Sequence, residues 1–131
     1  MRVPIRTGMA GIIDFSSHGV CATATSESAL SDNDWLAAEH ASLNLVSAAT
    51  LIMTPGSGPN DRSWVEDPDW RRFAFGMQTS SINAGVAVRQ KNRPALLASA
   101  DRLAQACQSC HDQFRRRQAP GNHRRLASSE K

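Results

Sequence analysis

Residues 94–117 read PALLASADRLAQACQSCHDQFRRR. Within them Leu96, Ala100, Leu103, Cys107, Cys110 and Phe114 follow one another in steps of four and three. Those steps keep all six on one face of a helix. Asn92-Arg93-Pro94 is a break ahead of it, since proline suits the first turn of a helix and not its interior. Pro120-Gly121 ends ordered structure beyond it. The stretch predicts a helix over 94–117 with a continuous apolar seam that contains both thiols.

Working outward, the chain supplies three more helices. Trp70, Phe73, Met77, Ser80, Ala84 and Val88, with Ala87, recur at threes and fours and predict a helix over 68–91. Asp67-Pro68 opens it, with the acid at the cap and proline in the first turn. Residues 57–66, with Gly58, Pro59, Asn60 and Asp61 as turn residues, predict a long loop. A helix over 32–53 starts at Ser31 as N-cap, with Asp32 and Asp34 in its first turn. Its buried side is expected to be Trp35, Leu36, Leu43, Val46, Thr50 and Met53, and Thr54-Pro55-Gly56 stops it. The least regular helix covers 4–24, where Ile5, Met9, Ile12 and Ser16 form a stripe weakened by Gly8, Gly11 and Gly19. The short break before Pro94 makes the last two helices antiparallel neighbours. The expected fold is therefore all-α, an up-down-up-down four-helix bundle.

The chain has 131 residues, enough for one domain with its own core. Aromatic residues make up 5% and tyrosine is absent, while 40% of residues are apolar, which favours packed helices over sheet or disorder. The formal charge is +3, and it is uneven. Arg115, Arg116, Arg117, Arg124, Arg125 and Lys131 stand against Glu130 alone at the C-terminal end. Residues 118–131 are expected to form a basic, disordered tail. No aromatic residues are interleaved with those arginines, so no nucleic-acid interface is expected. No stretch reaches the roughly 18–20 apolar residues that span a bilayer, so no transmembrane segment is expected. Met1-Arg2-Val3-Pro4-Ile5-Arg6 and Ala22-Thr23-Ala24 imitate the ends of a secretory leader, yet Asp14, Ser16, Ser17 and His18 interrupt its middle. The segment is expected to be a structural helix.

Cys107-Gln108-Ser109-Cys110-His111 is a C-x-x-C-H string, the pattern of c-type haem attachment. On a helix the three side chains fall at i, i+3 and i+4, so two thiols can reach the haem vinyl groups while the imidazole reaches the iron. Three other readings exist. A zinc site needs a fourth ligand, from Cys21, His18, His40 or His123, and none stands at a recognisable spacing. A thioredoxin-like redox pair belongs beside a βαβ pattern, which is missing. The third is coincidence on a buried helix face. Haem attachment of this kind happens outside the cytoplasm, so the expected location is periplasmic, with a leader upstream of Met1.

The string near the C-terminus, followed by Asp112-Gln113-Phe114-Arg115, resembles the cytochrome c prime family, the class II c-type cytochromes. Met9-Ala10-Gly11-Ile12-Ile13-Asp14 is similar to the first helix of some members. His40-Ala41 and Leu51-Ile52-Met53-Thr54-Pro55-Gly56 are similar to the end of their second. The likeness departs from the family at Phe15 and Cys21, where proline and tryptophan are usual. It covers most of residues 9–117 and implies a four-helix cytochrome domain over residues 1–117. One covalent haem c would sit on the last helix.

The resemblance implies Cys107 and Cys110 as thioether anchors, His111 as proximal iron ligand and Met9 as candidate sixth ligand. The other reading of Met9 is a core methionine, with Met53, Met77, His18 and His40 as substitutes. Arg6, one turn before Met9, and Arg115, one turn past His111, are candidate partners of the haem propionates and the proximal face. Phe114 is expected to pack on the porphyrin or the core. Cys21 reads as a small buried residue. The implied role is a periplasmic electron carrier whose iron cycles between Fe(II) and Fe(III), serving redox partner proteins and not acting as an enzyme. The alternative is a five-coordinate haem protein that binds NO or CO, and a zinc-binding structural module comes third. A homodimer paired through the first two helices is a further option within the family.

Overall fold

The computed structural model describes residues 2–115. Among them every regular element is helical and no strand occurs. The basic tail 118–131 lies outside the described residues. No described helix is long and apolar enough to cross a membrane.

The first rod is built of α1 (Ile5–Gly8), a π-turn (Met9–Ile13) and α2 (Asp14–Ala24). The π-turn corrects the expected stripe. The Asp14 N–H donates to the Met9 carbonyl, five residues back, so the turn holds one residue more than an α-turn. The expected and observed stripes part inside it and coincide again at Ser16. Ile13 is buried at 2% exposure, while Ile12 is 38% exposed. The observed stripe becomes Ile5, Ile13, Ser16, Val20 and Ala24, with Met9 half-buried beside it.

α3 (Asp32–Leu51) starts where its cap residue predicts. The Asp34 N–H donates to Ser31 Oγ at 3.1 Å, and the Ser31 N–H donates to Asp34 Oδ2 at 2.8 Å. This reciprocal box satisfies two otherwise orphaned donors. The buried face of α3 differs from the expected one. It is Trp35, Ala38, Ser42, Leu45, Ala48 and Ala49, whereas Leu36 and Leu43 are 48% and 51% exposed and Thr50 is exposed. Val46 and Met53 are half-buried. The cause is close approach. A Cβ added to Gly19 would lie 3.6 Å from Ala41, and one added to Gly85 would lie 3.8 Å from Ser42. Small side chains at the crossings bring the helices together, so hydrophobic bulk alone marks the wrong face. Ser42 and Ser81 donate their hydroxyls to carbonyls four residues back, which lets hydroxyls occupy the interior. No buried side-chain polar atom among the described residues lacks a partner.

The expected loop at 57–66 is only half loop, because Asp61–Glu66 forms a short helix, α4. Too brief to show a stripe, it leaves no periodic mark in the sequence. Asp67 then caps α5 (Pro68–Arg89), accepting from the Asp69 N–H at 2.9 Å. The Trp70 indole N–H donates to the Ile52 carbonyl at 2.8 Å, tying the start of α5 to the end of α3. α6 (Arg93–Cys110) begins at Asn92, whose side chain accepts from the Ala95 N–H. It runs into a second π-turn, His111–Arg115.

The four long segments pack in a bundle-like ring. α2 lies against α3 and α6, α3 against α5, and α5 against α6. Leu45, Leu96, Leu103 and Val20 are fully enclosed between them. Each such side chain contributes about 1.5–3 kcal/mol relative to exposure.

Between α5 and α6 the chain reverses through Lys91, the one described non-glycine residue with positive φ, at 52°. The Asn92 N–H donates to the Ala87 carbonyl and the Lys91 N–H to that of Val88, the bonding of a Schellman cap. Glycine normally fills this left-handed position without steric cost. Replacing Lys91 by glycine is expected to raise the unfolding free energy by about 1 kcal/mol, read as a higher urea midpoint. Lys91→Ala should leave the midpoint nearly unchanged.

Candidate functional site

Cys107 and Cys110 occupy the last turn of α6, and His111 follows in helical conformation with φ −64° and ψ −40°. The i, i+3, i+4 arrangement expected from the sequence is therefore present in the backbone. Cys110 is buried, and Cys107 and His111 are half-buried.

These three side chains border two adjoining cavities. The larger holds about 290 Å³ and lies between the first rod (Ile5, Arg6, Met9), two tryptophans (Trp64, Trp70) and the end of the chain's last helix (Cys110, His111, Phe114, Arg115). The smaller holds about 120 Å³ and reaches Cys107, Ile13, Ile52, Phe73 and Met77. Met9, Asp14, Cys110 and His111 line both. Small-molecule and cofactor pockets commonly hold about 300–1,000 Å³, so the pair together has the scale of a cofactor site.

Aromatic rings form the wall. Trp64 and Trp70 stack with centroids 5.2 Å apart and planes 10° apart. Phe114 meets Trp70 edge-on at 5.1 Å and Phe73 at 6.3 Å. The chain holds only three tryptophans and four phenylalanines, and four of those seven gather here. Offset and edge-on pairs of this kind add to the area they bury, and they make one end of the molecule rigid and dry. Arg6 and Arg115 are exposed at the larger cavity's border, where a guanidinium can meet an anionic ligand group without being buried.

Burial dominates the thiols. Cys110 is pushed up from 9.0 to about 12 by burial and then by the nearby Cys107. Cys107 is pushed up from 9.0 to about 11, by burial first, then by Cys21 and Asp14. Cys21 is also raised, by burial and by Asp101. A redox dithiol uses the opposite setting, a lowered pKa that yields thiolate at neutral pH. No group of three or more His, Cys, Asp or Glu side chains suited to a metal ion occurs among the described residues.

The expected residues thus meet. Arg6, Met9, Cys110, His111, Phe114 and Arg115 line the larger cavity and Cys107 the smaller. Met77 lines the smaller one too, while Met53 borders neither. His18 and His40 are exposed and border neither. Phe114 is 3% exposed and belongs to both core and cavity wall. Sequence reasoning missed Asp14 and Trp64. Asp14 reaches the cavities through the extra residue of the π-turn, and Trp64 lies on α4, within the expected loop. A tryptophan amid turn residues was the one available signal for it.

Comparison with models of protein families gives no match, and comparison with curated proteins gives none either.

The raised thiols fix a pH dependence for the haem-free chain. The folded state keeps protons that the unfolded state releases, so their contribution is full below about pH 9 and is lost as pH rises toward 11–12. Stability should fall by about 1 kcal/mol or more per thiol between about pH 8 and pH 10. Urea unfolding at the two pH values measures it, and the doubly substituted Cys107→Ser, Cys110→Ser chain should show a much smaller drop, with Cys21 still contributing.

Proposed function

We propose that this chain is a c-type haem protein of the kind found in the cytochrome c prime family. In this reading its four long helical segments form an up-down-up-down bundle, and it serves as a periplasmic electron carrier for redox partner proteins. The observation that carries the reading is the convergence of Cys107, Cys110 and His111 on two adjoining cavities that Met9 also lines.

The donor set fits a covalent porphyrin. The thiols of Cys107 and Cys110 would hold the group as thioethers, by addition of S–H across its two vinyl groups, which suits buried uncharged sulfur. His111 would offer an imidazole nitrogen to the iron, and Met9 a thioether sulfur. Arg6 and Arg115 stand where propionates would reach solvent. Trp70 and Phe114 exclude water from the proximal side. When bound, the haem supplies a one-electron Fe(II)/Fe(III) couple. The protein's part would be to hold His111 and Met9 at fixed positions and to keep water away, which limits rearrangement on electron transfer. Zinc fits less well, because it wants four ligands and no described cluster provides three.

A second reading is a five-coordinate centre that binds NO or CO. It is favoured by the open volume beside Met9, which is only half-buried and lines both cavities.

Protein matured with a c-type assembly system should weigh one haem more than the polypeptide and show a low-spin ferric spectrum with a sulfur–iron charge-transfer band at the red end. Met9→Ala should abolish that band and allow carbon monoxide to bind. Cys107→Ala with Cys110→Ala should release the haem under denaturing conditions. Recovery of only the bare polypeptide mass from exported protein would overturn the proposal.

A further inference from the structure

Asp61 is the one buried carboxylate among the described residues, at 2% exposure, and the reading above gives it no task. Its Oδ2 accepts from the Ile5 N–H at 3.0 Å and from the Gly58 N–H at 2.9 Å. Burying a carboxylate is costly unless such donors replace water. Two neighbouring contacts run the same way. The Ser57 N–H donates to the Val3 carbonyl at 3.2 Å, and an Arg2 guanidinium nitrogen donates to the Pro55 carbonyl at 3.4 Å. A Cβ at Gly56 would overlap the Val3 carbonyl, so the two strands of chain approach as closely as glycine allows. Residues 2–5 are therefore stitched to residues 55–61.

Both ends of that stitch lead into the candidate site. Ile5 opens α1, and Arg6 and Met9 follow within one turn on the cavity wall. Asp61 opens α4, and Trp64 lies one turn on in the facing wall. One carboxylate thus ties the wall that carries Met9 to the wall that carries Trp64. Gly8 and Gly11 leave the outer side of the Met9 turn uncovered, and its inner side rests on Ile5 and Ile13 in the core, so the tether at the Ile5 N–H acts on one of the two points that set where the turn rests.

We infer that Asp61 is a positioning residue for Met9: its carboxylate latches the Ile5–Met9 turn over the cavity, and its release turns a six-coordinate carrier into a five-coordinate centre open to carbon monoxide. The inference rests on the haem reading above and adds what selects between the two forms. Asp61 touches no ligand; it acts through the Ile5 N–H.

The test uses the haem-loaded protein with four changes, Asp61→Ala, Asp61→Asn, Gly56→Ala and Leu45→Ala. Asp61→Ala should lose the ferric sulfur–iron band, bind carbon monoxide at least tenfold faster and speed amide exchange at Ile5 at least tenfold. Asp61→Asn, which keeps an acceptor oxygen, should retain most of the band. Gly56→Ala loosens the same strap with the carboxylate intact, should repeat the effect of Asp61→Ala, and carries the test if that variant folds poorly. Leu45→Ala destabilises the core away from the strap and should keep the band. Equal loss in Leu45→Ala would overturn the latch, since general loosening would then suffice. A band present in the unsubstituted protein and indifferent to both Asp61→Ala and Gly56→Ala would overturn the latch alone. A band absent from the unsubstituted protein would overturn Met9 ligation, and the latch with it.

Discussion

One helical repeat on α6 performs two tasks. Leu96, Ala100 and Leu103 pack it into the core, and continuation of the same steps brings Cys107, Cys110 and Phe114 onto the same side. The chemistry-bearing groups therefore inherit their direction from the packing of the residues before them. α5 holds that direction from one side and α2 from the other. Any change that rotates α6 in its seat would turn both sulfurs away from the cavities together with Phe114. Stability and site geometry are in this sense a single constraint.

Such coupling explains which features the sequence disclosed. α5 and α6 were readable because steps of three and four land on residues that are buried or half-buried, such as Trp70, Met77, Leu96 and Leu103, although Phe75, Ile82, Val86 and Leu97 stay exposed. The caps at Ser31 and Asp67 were readable too, since both act through their own side chains, whereas Asn92 read only as part of a break. α3 misled because its contact face is alanine and serine, and close approach puts Leu36 and Leu43 outside. The first rod misled at Ile12 because a π-turn carries no composition of its own. α4 was lost among turn residues. For the site, the grouping of Cys107, Cys110 and His111 was plain from local spacing, and that of Arg6 and Arg115 from their offsets along a helix. Trp64 and Asp61 enter through contacts between residues more than fifty positions apart, as in the Asp61 bond to Ile5, and no local pattern encodes those.

The site also joins unlike environments. One side is four aromatic rings and a buried thiol; the other is arginine and open solvent. A flat, largely apolar ligand with acidic groups on one edge matches that division, because its rings can be dry while its charges remain wet. Sulfur fits the dry side, where burial keeps Cys110 uncharged.

The π-turn at Met9–Ile13 has a consequence for how this rod tolerates change in length. It is in effect a single-residue insertion absorbed as a bulge. A chain one residue shorter between Gly8 and Asp14 would heal into uninterrupted α-helix, with the parts on either side keeping their directions. A second inserted residue would find the bulge already taken and would turn the part ahead of it by about 100° against the part behind, so that Met9 would point elsewhere with every side chain intact. The length of this turn, as much as the identity of any residue in it, selects the atom that looks into the cavity.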